Sequence, residues 1–189
     1  SVDATPVRPD AAAGYALSED GMHLAQINVG RLLHPLDDPR MAGFVDNLDQ
    51  INALAEASDG FVWRLKAESG NATSIAAYDD PEIIVNMSVW TSPEALYAFA
   101  YQTAHRRFVQ RRKEWFQLFE APYLALWWIE EGSVPTVAEG RQRLDHLTQV
   151  GPTAHAFTFR RIFPRPGAGP LVDAAGEAAQ ALRAFRSGG

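Results

Sequence analysis

The sequence contains no cysteine, so disulfides, thiolate nucleophiles and cysteine-held zinc or iron–sulfur centres are excluded. It has no apolar run near the ~20 residues of a membrane-spanning helix, and no membrane association is expected. It lacks a positive balance: 23 Asp and Glu against 17 Lys and Arg leave a net charge of -6. That speaks against a nucleic-acid binder resting on a domain-wide positive field. Neither a glycine-rich phosphate loop nor a nucleophile elbow occurs, which speaks against nucleotide cofactors held by those devices. His23, His34, His146 and His155 show no ligand spacing with carboxylates, so no metal site is expected, and Asp37 and Asp38 read as helix caps. Residues 1–20 have neither the basic start nor the apolar stretch of a secretion signal; they read as a tail, and a cytoplasmic protein is expected.

What is present is an ordinary globular composition, 47% hydrophobic and 21% charged over 189 residues, enough for one domain. PRPGAGP at 164–170 reads as a linker before a short alanine-rich helix, so residues 164–189 form an appendage and 21–163 the domain. HLAQINVGRLL (23–33), FVWRLKA (61–67), IIVNMSVW (83–90), YLALWWIE (123–130) and AFTFRRIF (156–163) read as five strands. A helix is expected before Gly60, from Phe44, Val45, Leu48, Ile51, Leu54 and Ala55 at three- and four-residue spacing. TSPE caps a long helix over 93–119, with Thr91 or Ser92 as N-cap, and TVAEGRQRLDHLTQVG reads as another helix ending at Gly151. The order β, α, β, β, α, β, with a helix and strand appended, is the split βαβ pattern. The fold class is therefore α+β, ferredoxin-like, an antiparallel sheet with helices on one face.

Alternation divides the strands into faces. In the third strand Asn86, Ser88 and Trp90 share one side and Val85, Met87 and Val89 the other. The apolar sides are expected to meet the helices. The polar face is then bare, and a two-fold homodimer whose sheets close into a barrel would cover it.

The strings VGRLLHPLDDPRMAGFVDNLDQINALAEASDGFVWRL, IIVNMSVWTSPEALYAFAY, HRRFVQRRKEWF, LALWWI and AFTFRRIF together resemble the bacterial domain-of-unknown-function family numbered 3291, from about residue 23 to 163. That family is grouped with the dimeric α/β barrels, beside antibiotic-biosynthesis monooxygenases, haem-degrading monooxygenases and chlorite dismutase-like proteins. The resemblance implies a dimeric α/β-barrel fold and a cavity between the helices and the sheet of one protomer. It also implies two chemistries. Antibiotic monooxygenases oxidise electron-rich phenols without a bound cofactor, and haem-degrading members carry their axial histidine on the helix after the third strand.

YQTAHRRFVQRRKEWF (101–116) packs five Arg or Lys into the eight positions 106–113. At about 100° per residue, Ala98, Tyr101, Phe108, Val109, Arg112, Phe116 and Phe119 fall within about 60° of His105, with Trp115 just beyond. Arg106, Arg107, Gln110, Arg111, Lys113 and Glu114 lie on the sides and back as solvated charge. His105 and Arg112 on an inward aromatic stripe need partners. Either Arg112 pairs with a carboxylate such as Glu130 while His105 caps a carbonyl, or the two line a cavity. In the second case His105 is acid or base and Arg112 holds an oxyanion or carboxylate.

Tyr101, Phe108, Trp63 and Trp128 supply flat apolar surface for a planar polycyclic ligand, as do Trp90 and Trp127. Asn28 and Asn86, polar amides in strand interiors, are candidate hydrogen-bonding groups, with Arg64 and Arg160 as anion hooks. The leading expectation is a small enzyme of bacterial secondary metabolism, a monooxygenase or cyclase on an apolar aromatic or polyketide-like substrate, with no cofactor. A haem-binding protein with His105 as axial ligand and a non-catalytic dimeric binding protein are the alternatives.

Overall fold

The computed structural model describes residues 21–67, 72–75, 78–118 and 120–167. The expected tail (1–20), most of the appendage expected over 164–189, and Phe119 lie outside them. Four strands, β1 (Met22–Arg31), β2 (Phe61–Arg64), β3 (Ile83–Trp90) and β4 (Leu124–Glu130), form one antiparallel sheet in the order β2-β3-β1-β4. Helices α1 (Ala42–Val45) and α2 (Leu48–Glu56) connect β1 to β2, and α3 (Pro93–Gln102) and α4 (His105–Arg111) connect β3 to β4. Helix α5 (Val137–Gln149) follows β4. This is the ferredoxin-like α+β fold that the element order predicts. The helix starts lie where their capping residues do. Ser92 Oγ accepts from the Ala95 backbone N–H, Thr136 Oγ1 from that of Glu139, and Asp38 from that of Arg40, each meeting an otherwise orphaned donor.

Three expectations need correction. The helix expected over 93–119 is two helices, broken at Thr103, whose backbone is extended (φ -102°, ψ -176°). The Thr103 hydroxyl donates to the Phe99 carbonyl at 2.6 Å and accepts from the His105 N–H at 3.2 Å. It thus ends one helix and starts the next, the competition with helix hydrogen bonds that favours threonine at boundaries. Residues 156–163 are not a fifth strand: only Phe157 pairs with β4, exchanging both backbone bonds with Leu126 at 2.8 and 2.9 Å. Beyond it the chain turns, Arg161 N–H donating to the Thr158 carbonyl.

The third correction concerns the faces. The apolar side of the sheet, Ala25, Ile27, Val85, Met87, Val89 and Trp127, meets α5 through Leu144 and Leu147. Gly140 makes the approach feasible, because a Cβ there would lie 2.6 Å from Ile27 Cδ1. Trp127 Nε1–H donates to Glu139 at 2.9 Å and ties α5 to β4. α2, α3 and α4 lie instead over the side bearing Gln26, Asn28, Asn86, Ser88 and Trp90. Among the described residues the chain's own α5 lies on the apolar face, and the helices α2, α3 and α4 stand over the polar one. Composition of the strands shows that one face is apolar, but which helices it meets depends on long-range topology.

Candidate functional site

The polar side of the sheet and the helices above it do not close on each other. Between them lies a cavity of about 270 Å³. Its floor is Gln26 and Asn28 of β1 with Asn86, Ser88 and Trp90 of β3; its roof comes from Ile51 of α2, Phe99 and Tyr101 of α3, and His105 and Phe108 of α4. Arg112, Phe116, Tyr123 and Phe159 complete the wall. The end of α4 is pinned to the sheet by Leu33 N–H to the Trp115 carbonyl and Gln117 N–H to the Arg31 carbonyl, both at 2.9 Å. Trp115, 2% exposed, anchors that end in a small core with Leu32 and Met41.

The floor is a hydrogen-bonded network. Trp90 Nε1–H donates to Ser88 Oγ at 2.8 Å, and the Gln26 amide donates to Ser88 Oγ at 2.9 Å and to Asn86 Oδ1 at 2.8 Å. Asn28 Nδ2 donates to Gln26 Oε1 at 3.0 Å and to Asn86 Oδ1 at 3.3 Å. Gln26 and Ser88 are buried, Asn28 half-buried and Asn86 exposed, and each of the four side chains finds at least one partner in the network.

His105 opens α4, set in place by the Thr103 break. Its ring stacks on Phe99 (centroids 4.6 Å apart, planes at 21°), and its Nδ1 lies 3.3 Å from the Ala100 carbonyl oxygen. A carbonyl only accepts, so Nδ1 carries the proton and Nε2 a lone pair. Among the described residues Nε2 has no hydrogen-bond partner. Burial pushes the His105 pKa down from its ordinary value, against a smaller raising effect of the Ala100 carbonyl. At neutral pH the ring is therefore an uncharged base facing the cavity.

Arg112, two turns further along, lines the same cavity with its guanidinium over the Tyr123 ring, 3.7 Å from the centroid, and Nη2 3.5 Å from the Val29 carbonyl. It makes no ion pair among the described residues; the pairing with Glu130 does not occur. An arginine held by a ring face and one carbonyl keeps donors available for an anion. Tyr101, 37% exposed, packs against Tyr97 and Phe159. Burial, then Tyr123 and Tyr97, raise its pKa, and Arg112 lowers it. At the far end Arg64 donates to Glu56 at 2.8 Å, with Lys66 on the same carboxylate.

Of the sequence candidates, His105, Arg112, Tyr101, Asn28, Asn86 and Phe108 share this one cavity, and Arg64 borders it. Two do not. Trp63 pairs with Val89 and packs with the apolar core on the α5 side, because a bulge between Phe61 and Trp63 sets it on the opposite face from the floor amides. Trp128 is on the correct side but is closed off by the chain's last described turn: it donates Nε1–H to the Phe163 carbonyl at 2.8 Å, under Arg165. Arg160 is exposed in the turn after Phe157. Gln26, Tyr123 and Phe99 were not among the candidates. Gln26 was open to discovery, since it stands two residues before Asn28 and so shares its face. Arg106, Arg107, Gln110, Arg111, Lys113 and Glu114 are all exposed, with Arg111 paired to Glu114 at 2.8 Å. Among the described residues no group of three metal-ligating side chains forms, and no helix is long and apolar enough to cross a membrane.

Three solved structures are similar to the chain at low overlap. A Pseudomonas aeruginosa protein is 13% identical, covering 58% of this chain and 94% of its own, with a TM-score of 0.38. A Bacteroides thetaiotaomicron protein of unknown function, described as a "possible oxidoreductase", is 13% identical over 59% of this chain and 98% of its own (TM-score 0.36). A Nitrosomonas europaea protein provisionally assigned as an antibiotic biosynthesis monooxygenase is 14% identical over 60% and 91% (TM-score 0.34). At these values none speaks for a shared chemistry. No curated protein matches the chain. Residues 23–171 match the family described as domain of unknown function DUF3291, and the chain belongs to that family.

Proposed function

We propose that the protein is a small bacterial enzyme of secondary metabolism that removes a proton from an apolar aromatic or polyketide-like substrate, as a cofactor-independent monooxygenase or a cyclase. The observation that carries this reading is the state of His105: neutral, tethered through Nδ1, and, among the described residues, with Nε2 unpartnered in a cavity shared with an arginine that has no carboxylate. Nε2 takes a proton from a carbon next to a substrate carbonyl or phenol. The Arg112 guanidinium stabilises the enolate or phenolate oxygen that results. The carbanion then attacks either dioxygen, which supplies the inserted oxygen and leaves its second atom as water, or a carbonyl of the same molecule. Phe99, Phe108 and Phe116 present ring surface to such a substrate and exclude water.

Haem fits less well. His105 would offer Nε2 as an axial ligand does, with Nδ1–H held by a carbonyl. The space in front of it, about 270 Å³, falls below the ~300–1,000 Å³ of pockets that hold drug-sized ligands, and a haem is larger. The ligating group is suited to a haem but the space in front of it is not. Homodimer formation stays within the proposal through surfaces other than the α5-covered face, read by light scattering.

The test is aerobic incubation with anthrone, following quinone formation by absorbance. Wild type should turn it over, and His105→Gln should be slower by about 10²–10⁴. In wild type the rate should fall with acid only below pH 6.5, since burial lowers the His105 pKa. Equal rates in the two proteins refute the role of His105.

A further inference from the structure

We infer that the cavity floor is a reading edge for a planar ring that presents an N–H beside a carbonyl, the cis-amide edge of a lactam or imide. The inference rests on the cavity being a ligand site and extends that reading to the class of ligand. It follows from counting hydrogen-bonding capacity across the floor. Gln26 is 3% exposed, and all its capacity in the network is committed: one Nε2 hydrogen to Asn86, one to Ser88, and Oε1 to Asn28. Both Nδ2 hydrogens of Asn28 are likewise committed, to Gln26 and Asn86. Asn86 Oδ1 accepts twice.

Apart from the Ser88 hydroxyl hydrogen, two groups are left over, both of them amide groups, and they belong to the two residues that stand directly opposite each other in the β1–β3 ladder, Asn28 and Asn86. Asn28 Oδ1 has no donor and Asn86 Nδ2 has no acceptor among the described residues, and both residues line the cavity. Cross-strand partners stand about 4.5–5.5 Å apart. The floor thus shows the ligand one acceptor next to one donor. The complement is a donor next to an acceptor: N–H beside C=O. Rotating all three amides together reverses which asparagine donates and leaves the edge as an acceptor beside a donor, so the inference does not depend on the amide assignment. An ortho-hydroxy ketone is a poorer match, because its hydroxyl is spent on its own carbonyl.

Gln26 is then a positioning residue, and its setting explains its burial. It clamps both asparagines from below and is itself fixed by Ser88, whose oxygen is held by the indole N–H of buried Trp90. Aromatic walls above the edge accept the ring's faces, and Arg112 stands beside an electron-rich carbonyl oxygen.

The probes are 2-quinolone, which has the edge, and N-methyl-2-quinolone, which has the same ring and carbonyl without the N–H. Binding is measured by isothermal titration calorimetry and by quenching of tryptophan fluorescence. Wild type should prefer 2-quinolone by about tenfold, the effect of leaving the Asn28 carbonyl unpaired beneath the methylated ring. Of Asn28→Ala and Asn86→Ala, the one that removes the acceptor should lose the preference, Asn28→Ala with the amides as placed. Asn86→Asp keeps the oxygen that Gln26 and Asn28 donate to and removes only a donor to the carbonyl both probes share, so both should bind more weakly with the preference kept and the thermal midpoint near wild type. Riboflavin, an imide, separates a cofactor from a substrate of the same edge chemistry: displacement of 2-quinolone by it identifies the imide source, and no displacement the lactam source. Equal affinity for the two quinolones, no binding of either below millimolar concentration, or a preference unchanged in both Asn28→Ala and Asn86→Ala overturns the inference. His105→Gln should retain the preference. A preference without anthrone turnover upholds the edge and removes the acid–base role, and turnover without a preference does the reverse.

Discussion

Gly60→Ala should be among the most damaging single-methyl substitutions in the described chain. Gly60 joins α2 to β2 with φ at 77°, in the left-handed region, where an alanine costs about 1–2 kcal/mol. A Cβ there would lie 2.5 Å from Thr91 Oγ1 and 2.6 Å from the Ala95 Cβ. The hydroxyl can rotate away. The Ala95 methyl cannot, because it is fixed to the first turn of α3, whose backbone is held by the Ser92 cap at 3.2 Å and whose approach is set by Thr91 N–H to the Gly60 carbonyl at 2.8 Å. Overpacking of this kind costs about 1–3 kcal/mol, so the total loss is about 2–5 kcal/mol. Gly132→Ala isolates the first contribution: its φ is 80°, and nothing lies within 4 Å of the added methyl. Urea unfolding of the two variants should differ by about 1–3 kcal/mol at unchanged m-value, and by about 2–4 °C in Tm per kcal/mol for a chain of this size. Adding Ala95→Gly to Gly60→Ala should recover part of the loss, with a positive coupling energy. Equal losses at Gly60 and Gly132 would refute the claim that α3 is wedged against this turn. Because α3 carries Phe99 and Tyr101, the same variant should also weaken 2-quinolone binding.

His23 is 3% exposed and, among the described residues, neither ring nitrogen has a partner. His23→Leu should therefore stabilise the fold by roughly 1–2 kcal/mol, since an orphaned buried group costs about that much. The substitution should also flatten the acid side of the stability curve. Burial lowers the folded pKa of His23, with Glu131 raising it and Arg165 lowering it by smaller amounts. Below pH 6.5 the unfolded chain therefore takes up a proton that the folded one refuses, and stability falls until the folded pKa is passed. His105 and His155 are shifted the same way, so part of the slope should remain; a wild-type slope in His23→Leu would count against the argument. Thr103→Val removes both hydroxyl bonds at the α3–α4 break and should cost about 1–2 kcal/mol while slowing anthrone turnover, read by thermal unfolding and absorbance. Turnover unchanged at reduced stability would show that His105 does not depend on the break for its position.

The strands of the sheet and the caps were legible because they are set by local rules. Alternation in IIVNMSVW marks β3 over Ile83–Trp90, and Ser92 with Pro93 announces α3. The inward placement of His105 and Arg112 was legible too, although the helix it was read from is broken. Seven residues separate them, all within α4 and its continuation, so the break at Thr103 precedes the pair and leaves its phase intact. Tyr101 lies before the break, and its phase relative to His105 is not that of one helix. The assignment of faces failed for a different reason. A side chain's alternation says which residues share a face, whereas what covers that face depends on where α5 returns, and α5 is 13 residues whose docking is set by Gly140 against Ile27. An apolar face seemed to be the one the βαβ helices would cover, and a polar face the one left over. The opposite arrangement holds because Gln26, Asn28, Asn86 and Ser88 satisfy one another, so a helix layer can stand over them without filling the space. A floor able to meet its own hydrogen-bonding needs, except for one acceptor and one donor, separates a cavity from a packed core here, and that property belongs to the cross-strand register and not to any single strand.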